Sequence, residues 1–305
     1  MPSLSVVIPA HNEGRGLIDT VQSILRTRRL NCDLEFIVAD DRSEDGSTEA
    51  LQAEFPGLDL RIVSAPERLG VARSRNLAAR AARGDILFIT DGHVEFCDGW
   101  DSIVLKHVHP SIMLAATIKD IETRFSGYGC RLVVPFMGTY WNVGPPKGVH
   151  PVQIASSAGT VLYRETFHKL GGYDEGMLIY GGAEPEFSVR AWLSGLEIHN
   201  VTSLTVGHRF KPEEQRELLI ASRRTFIVHN NLRFGLLYLG DEMALRMIRL
   251  LAWEFPAHAS EAFQMVESSD VFERRAHLEA ALTYSFRWFV SRFKVKDVAG
   301  EAVLC

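Results

Sequence analysis

Residues 83–93 read RGDILFITDGH, and this stretch decides the fold. An apolar run, residues 86–90, starts just after a glycine and stops at Asp91, with His93 two residues on. A short apolar run bounded by polar residues reads as a buried parallel strand. The same unit recurs upstream. Residues 4–9, 34–39 and 60–64 read as strands, and residues 17–28, 47–55 and 71–83 as the helices that follow them. Strand–helix alternation implies a parallel sheet with right-handed crossovers. The expected class is therefore α/β. In such sheets ligands bind beyond the carboxyl ends of the strands. Three polar clusters fall there: residues 9–13 (PAHNE), 40–43 (DDRS) and 91–93 (DGH).

Composition narrows the classes. The 305 residues are 46% hydrophobic and 23% charged, which excludes a disordered or fibrous chain. Lys+Arg is 33 against Asp+Glu 38, a net charge of −5, and a nucleic-acid binder needs the opposite balance. No apolar stretch approaches the roughly 20 residues of a membrane span. The start, MPSLSVVIPAHNE, lacks the basic region and long apolar run of a secretory signal. The four cysteines are scattered with no CxxC, so neither a disulfide framework nor a zinc site is expected. The expected compartment is the cytoplasm.

Beyond residue 100 the pattern loosens. Residues 112–118 and 158–163 read as strands, and residues 127–150, rich in Gly, Pro and aromatics, as a long ordered loop or lid. Residues 213–295 read as helices broken near Gly240, Phe255-Pro256 and Ser268-Ser269.

Several residues carry chemistry. Extended geometry puts residues i and i+2 on one side, so Asp91 and His93 face one point. A carboxylate with an imidazole suits Mn²⁺ and related ions better than Ca²⁺; an exposed strand-end turn is the alternative. Asp40 and Asp41 can accept hydrogen bonds from a base or ribose, or serve as turn and cap residues ahead of the helix. Arg73 and Asn76 share a helix face near the helix start, a plausible anion or base contact. Arg75, Arg80 and Arg83 read as a solvated basic face. Residues 171–190, GGYDEGMLIYGGAEPEFSVR, hold two Gly-Gly pairs, which free the backbone for close approach to a ligand. Glu184 and Glu186 follow at a helix mouth, as a general base or sugar contact, or as acids against the helix dipole. His208 follows a β-branched run and gains interest only if Asp91 and His93 need a third ligand.

Taken together, residues 4–235 resemble the GT-A glycosyltransferases, specifically glycosyltransferase family 2 and the polypeptide N-acetylgalactosaminyltransferases. Residues 6–13 (VVIPAHNE) look like the family's opening strand, Asp40-Asp41-Arg42-Ser43 like its nucleotide-binding strand end, and Asp91-Gly92-His93 like its metal motif in the DxH form. Gly172-Tyr173-Asp174-Glu175-Gly176-Met177 leading to Gly181-Gly182 is similar to the N-acetylgalactosaminyltransferase branch. The resemblance implies a GT-A, Rossmann-like fold with a catalytic domain over residues 1–235 and a C-terminal helical extension over 236–305. It implies a UDP-sugar donor, with Pro9, Ala10, Glu13, Asp40, Arg73, Gly181 and Gly182 on the donor side. It implies Mn²⁺, or Mg²⁺, held by Asp91, His93 and His208. Glu184 or Glu186 would act as base or sugar contact. The sequence departs from the pattern at Ala183, where the family's Gly-Gly-Glu has its acid; Glu184 stands one position on. The acceptor would be a hydroxyl or thiol of a peptide, metabolite or glycan.

Two other readings use the same residues. A sugar-nucleotide nucleotidyltransferase would carry a Gly-rich basic loop after its first strand, and here that position reads AHNEGRG. A silent GT-A binding module would not need the metal residues. In the tail, residues 286–296 set Trp288, Phe289 and Phe293 among Arg287, Arg292, Lys294 and Lys296. They read as helix packing on the core or a homodimer interface, with an anionic membrane surface as the alternative.

Overall fold

Seven elements realise the expected alternation in order: β1 (Leu4–Ala10), α1 (Gly16–Thr27), β2 (Leu34–Asp40), α2 (Ser47–Glu54), β3 (Leu60–Ser64), α3 (Val71–Ala81) and β4 (Ile86–Ile89). The computed structural model describes every residue except 302, 304 and 305. β1 lies between β2 and β4 in parallel, with Val7 opposite both Ile37 and Ile89. Alternation along β1 divides its side chains between two cores. Leu4, Val6 and Ile8 face α1, while Val7 joins Ala72 and Ala79 of α3 on the other face.

The second half completes the sheet. It contains β5 (Val94–Phe96), α4 (Trp100–His107), β6 (Ile112–Asp120), β7 (Ser126–Gly127), β8 (Cys130–Val133), β9 (Gly138–Trp141), β10 (Val149–Pro151), β11 (Thr160–Tyr163), α5 (Arg164–Lys169), α6 (Ala183–Leu193) and β12 (Glu197–His208). The main sheet runs β10-β12-β6-β11-β4-β1-β2-β3. β11 is antiparallel to both β4 and β6, and β12 is parallel to β6. The sheet is thus mixed but mostly parallel on the β1 side, as expected. Residues 127–150 correct the sequence reading: β8 and β9 pair as an antiparallel hairpin, Cys130 opposite Trp141, where a loop was expected.

Six helices follow: α7 (Glu213–Ser222), α8 (Arg224–Tyr238), α9 (Asp241–Glu254), α10 (Pro256–Glu267), α11 (Val271–Ala281) and α12 (Phe286–Phe293). Three of their breaks fall at the expected Gly240, Phe255-Pro256 and Ser268-Ser269. The expected division after residue 235 lies inside α8. Val228 and Leu232 of α8 and Phe289 of α12 belong to the same apolar cluster as Val7 and Ile89. A buried ion pair reinforces the join: Arg233 of α8 donates from Nε to Asp174 Oδ2 at 2.7 Å and from Nη2 to Oδ1 at 3.0 Å.

The aromatic tail packs inward. Phe289 is buried, Phe293 lies 5.0 Å from the Trp192 ring of α6, and Arg292 covers the rings of Trp192, Trp288 and Phe293. The packing alternative therefore describes these rings. No helix among the described residues is long and apolar enough to cross a membrane. Cys32, Cys97 and Cys130 are free thiols; Cys305 lies outside the described residues.

Candidate active site

Three strand ends assemble the site. Asp91 leaves β4, His93 leads into β5, and His208 ends β12. β5 pairs antiparallel with β12 so that Val94 stands opposite His208. One ligand atom from each of Asp91, His93 and His208 lies within 4.8 Å of the others. His208 Nε2 is 3.5 Å from Asp91 Oδ2, and the two imidazole rings meet edge to face at 4.8 Å. His208 Nδ1 is buried and has no hydrogen-bond partner. A carboxylate and two imidazoles, each offering one ligand atom to the same point, form a donor set that suits a transition metal. Burial opposes the charge on Asp91, but the His208 hydrogen bond and the Arg75 guanidinium outweigh it and hold its carboxyl far below the usual range. The group is therefore anionic at neutral pH, as a ligand must be.

Arg75 organises the rest. It is 1% exposed, donates from Nη2 to Asp91 at 3.0 Å and from Nη1 to Glu184. The structure corrects the solvated face expected for it: the Tyr173 ring covers the guanidinium at 5.4 Å. Arg75 and Asn76 lie on the buried side of α3, and the segment carrying Tyr173 and Ile179 covers them. Contact there is backbone to backbone: Val71 N–H donates to the Ile179 carbonyl at 2.9 Å. A Cβ at Gly70, φ +80°, would stand 2.3 Å from Ile179 Cα, so only glycine fits. Asn76 fixes the same segment, donating to the Tyr173 carbonyl at 2.9 Å and accepting the Tyr173 N–H at 2.8 Å.

The two candidate acids separate. Glu184, in the first turn of α6, keeps 23% of its side chain exposed beside Arg75 and the metal cluster. Glu186 is 0% exposed. It bonds Arg190 through both oxygens at 2.8 Å and accepts the Tyr238 hydroxyl at 2.7 Å. Helical rotation explains the difference: two residues apart on a helix means nearly opposite faces. Glu186 is a core residue, and its expected catalytic role is withdrawn. Gly181 and Gly182 lead into α6 at φ +92° and +77°. Asn230 of α8 holds them from behind, accepting the Leu178 N–H at 2.8 Å and donating to the carbonyls of Leu178 and Gly181 at 2.8 Å and Tyr180 at 3.1 Å. Nothing local in the sequence marked Asn230.

The remaining expected residues lie around the β1 and β2 ends. Pro9 and Ala10 close β1, and the Ala10 carbonyl accepts the Asp41 N–H at 2.8 Å. Asp40 accepts the Ser43 N–H at 2.9 Å, the turn chemistry weighed as its alternative. Asp41 is buried and takes the N–H groups of Leu69 at 2.6 Å and Gly70 at 2.9 Å, fixing the start of α3. Arg73 donates to the Glu175 carbonyl at 2.7 Å. Glu13, expected on the donor side, has its carboxylate 2.7 Å from His93 Nδ1.

This sheet, with its carboxyl-edge cluster, defines the GT-A glycosyltransferase architecture. Residues 5–123 match the family model of glycosyl transferase family 2, and residues 153–214 that of the N-terminal domain of galactosyltransferase. The chain is 27% identical over 320 residues to the probable N-acetylgalactosaminyltransferase 6 of Caenorhabditis elegans, covering 95% of this chain and 49% of that protein. It is 30% identical over 318 residues to the polypeptide N-acetylgalactosaminyltransferase 12 of Homo sapiens, covering 95% and 51%. The chain thus spans about half the length of these relatives. Among solved structures, GalNAc-T7 with UDP, GalNAc and Mn²⁺ superposes with a TM-score of 0.76 at 22% identity, over 96% of this chain and 57% of that one. The Pyrobaculum calidifontis mannosyltransferase PcManGT with GDP-Man and Mn²⁺ gives 0.55 at 18%, over 92% and 86%. The chain therefore has the GT-A fold, matches the family 2 model over residues 5–123, and is similar to the polypeptide N-acetylgalactosaminyltransferases over about half of their length.

Proposed function

We propose that the protein is a metal-dependent glycosyltransferase that moves a sugar, an N-acetylhexosamine by its relatives, from a UDP-sugar to a hydroxyl of a peptide. The observation that carries this reading is the cluster of Asp91, His93 and His208 at the carboxyl edge of the sheet. Its residues fit a divalent cation such as Mn²⁺, which would supply charge neutralisation to the diphosphate leaving group. The chain's own residues do the rest. Arg75 keeps Asp91 ionised and aligned. Glu184, already engaged by that guanidinium, is suited to accept hydrogen bonds from sugar hydroxyls. It takes over the place of the acid absent at Ala183. The Gly181-Gly182 backbone allows the donor to approach α6 closely. A nucleotidyltransferase is disfavoured by the acidic, polar loop after β1.

Calorimetric titration of UDP with Mn²⁺ and with EDTA, on wild type and on Asp91→Ala, tests the donor site. Metal-dependent binding that is lost in the variant is the expected result. UDP release from UDP-N-acetylgalactosamine with serine- and threonine-containing peptides then tests the transfer. Equal UDP binding in EDTA would overturn the metal assignment. Binding without turnover on any acceptor would favour a silent module.

A further inference from the structure

We propose that Glu13 is a positioning residue for His93: its carboxylate fixes the imidazole tautomer that leaves Nε2 free to bind the cation. This rests on the reading of Asp91, His93 and His208 as metal ligands.

The contact is specific. Glu13 Oε2 lies 2.7 Å from His93 Nδ1, with the two side chains only 19% and 29% exposed. An ionised carboxylate only accepts, so Nδ1 must carry the proton. In the neutral ring the lone pair then belongs to Nε2. The partner also restricts rotation of the ring, because a flip would leave the carboxylate without its donor. A carboxylate behind a metal-binding imidazole orients the ring and raises its basicity.

The fold provides for this contact. β1 and β4 are parallel neighbours, Val7 opposite Ile89, so the chain leaving β1 runs beside the chain leaving β4. Gly92, between the two ligands on that loop, makes the space. A Cβ there would stand 2.9 Å from Glu13 Cγ and 3.1 Å from Cδ. The residue between Asp91 and His93 is thus small where the Glu13 side chain passes. Glu13 is not called on elsewhere: its carboxylate touches no helix cap and no arginine among the hydrogen bonds and ion pairs of the described residues.

Two measurements test this on the full chain. The first is Mn²⁺ affinity from the electron paramagnetic resonance signal of the free ion, for wild type, Glu13→Gln and Glu13→Ala. Removal of such a partner weakens binding about ten- to hundred-fold. Glu13→Ala should show that loss. Glu13→Gln, which keeps an acceptor oxygen in nearly the same shape, should fall between it and wild type. The second is imidazole ¹⁵N NMR of the metal-free protein at alkaline pH, with His93 assigned through His93→Asn. Wild-type His93 should show a protonated Nδ1, and Glu13→Ala a tautomer mixture. An unchanged tautomer, or Mn²⁺ binding by Glu13→Ala within twofold of wild type, would overturn the proposal. Wild type failing to bind Mn²⁺ would instead overturn the metal reading, and the tautomer measurement would still decide the Glu13–His93 contact.

Discussion

Arg75 joins two carboxylates that are far apart in the sequence: its Nη2 donates to Asp91 Oδ1 at 3.0 Å and its Nη1 to Glu184 Oε1, from a position 1% exposed. One planar guanidinium therefore sets the distance between the Asp91 and Glu184 carboxylates. Lysine offers a single point charge and cannot span both. Arg75→Lys should fold yet lose donor affinity by about tenfold or more, a cost of at least ~1.4 kcal/mol. Arg75→Met leaves two acids facing each other without compensation and should lower stability by about 3–5 kcal/mol. UDP–Mn²⁺ calorimetry and urea denaturation measure the two effects. Unchanged affinity in Arg75→Lys would refute the bridging role.

Glu184 and Glu186 should separate cleanly under the same substitution. Glu184→Gln is expected to keep near wild-type stability and lose tenfold or more in kcat/KM, the worth of a charged hydrogen bond of about 1.5–3 kcal/mol. Glu186→Gln strips Arg190 of its buried counter-charge and should destabilise by about 3–5 kcal/mol. Its activity per folded molecule should stay near wild type. The reverse pattern would return Glu186 to the site.

The contrast between these acids also marks what a linear reading reaches. The strands β1, β2 and β4 were legible to within one residue of their ends because each carries its own apolar run. The helix breaks at Gly240 and Pro256 were legible because glycine and proline act locally. Asp91, His93 and His208 followed from strand position joined to a family resemblance. Arg75 was misread because its burial depends on a segment a hundred residues away, and no local pattern separates a covered arginine from a solvated one. The contact of Glu13 with His93 was not legible because the two residues are 80 positions apart. The hairpin of β8 and β9 was hidden by its Gly- and Pro-rich surroundings, which resemble a loop in composition. The break between α7 and α8 at Arg223 has no glycine or proline to announce it.

Asn230 is the fully buried anchor of the chain just before the Gly-Gly pair, through four hydrogen bonds to Leu178, Tyr180 and Gly181. Asn230→Ala removes the partner of the Leu178 N–H and of three carbonyls, which are half-buried or exposed, so the cost should be at most about 1 kcal/mol for each hydrogen bond lost. Faster amide hydrogen exchange should appear at Leu178, with donor KM rising more than kcat falls. Exchange unchanged at Leu178 would show that the segment is held by Asn76 and α3 alone.

Acid stability should be governed in part by Glu35, at the opposite end of the sheet from the site. Burial disfavours its charge, but the Ser5 hydroxyl, the N–H groups of Arg83 and Gly84 and the Arg83 guanidinium together outweigh that and lower its pKa. Ser5 Oγ donates at 2.6 Å and Gly84 N–H at 3.0 Å. The sign follows from proton linkage. A carboxyl whose folded pKa lies below its unfolded value contributes stability that is fully present above the unfolded value, about 4.3 for glutamate. That stability is lost as pH falls through the folded value. Glu35→Gln should therefore be less stable than wild type at neutral pH, and the gap should shrink as pH falls below the ordinary glutamate range. Urea denaturation of both proteins across that range measures it. A gap that stays constant down to the lowest pH at which both fold would mean that the Glu35 charge contributes nothing and the substitution acts through shape alone.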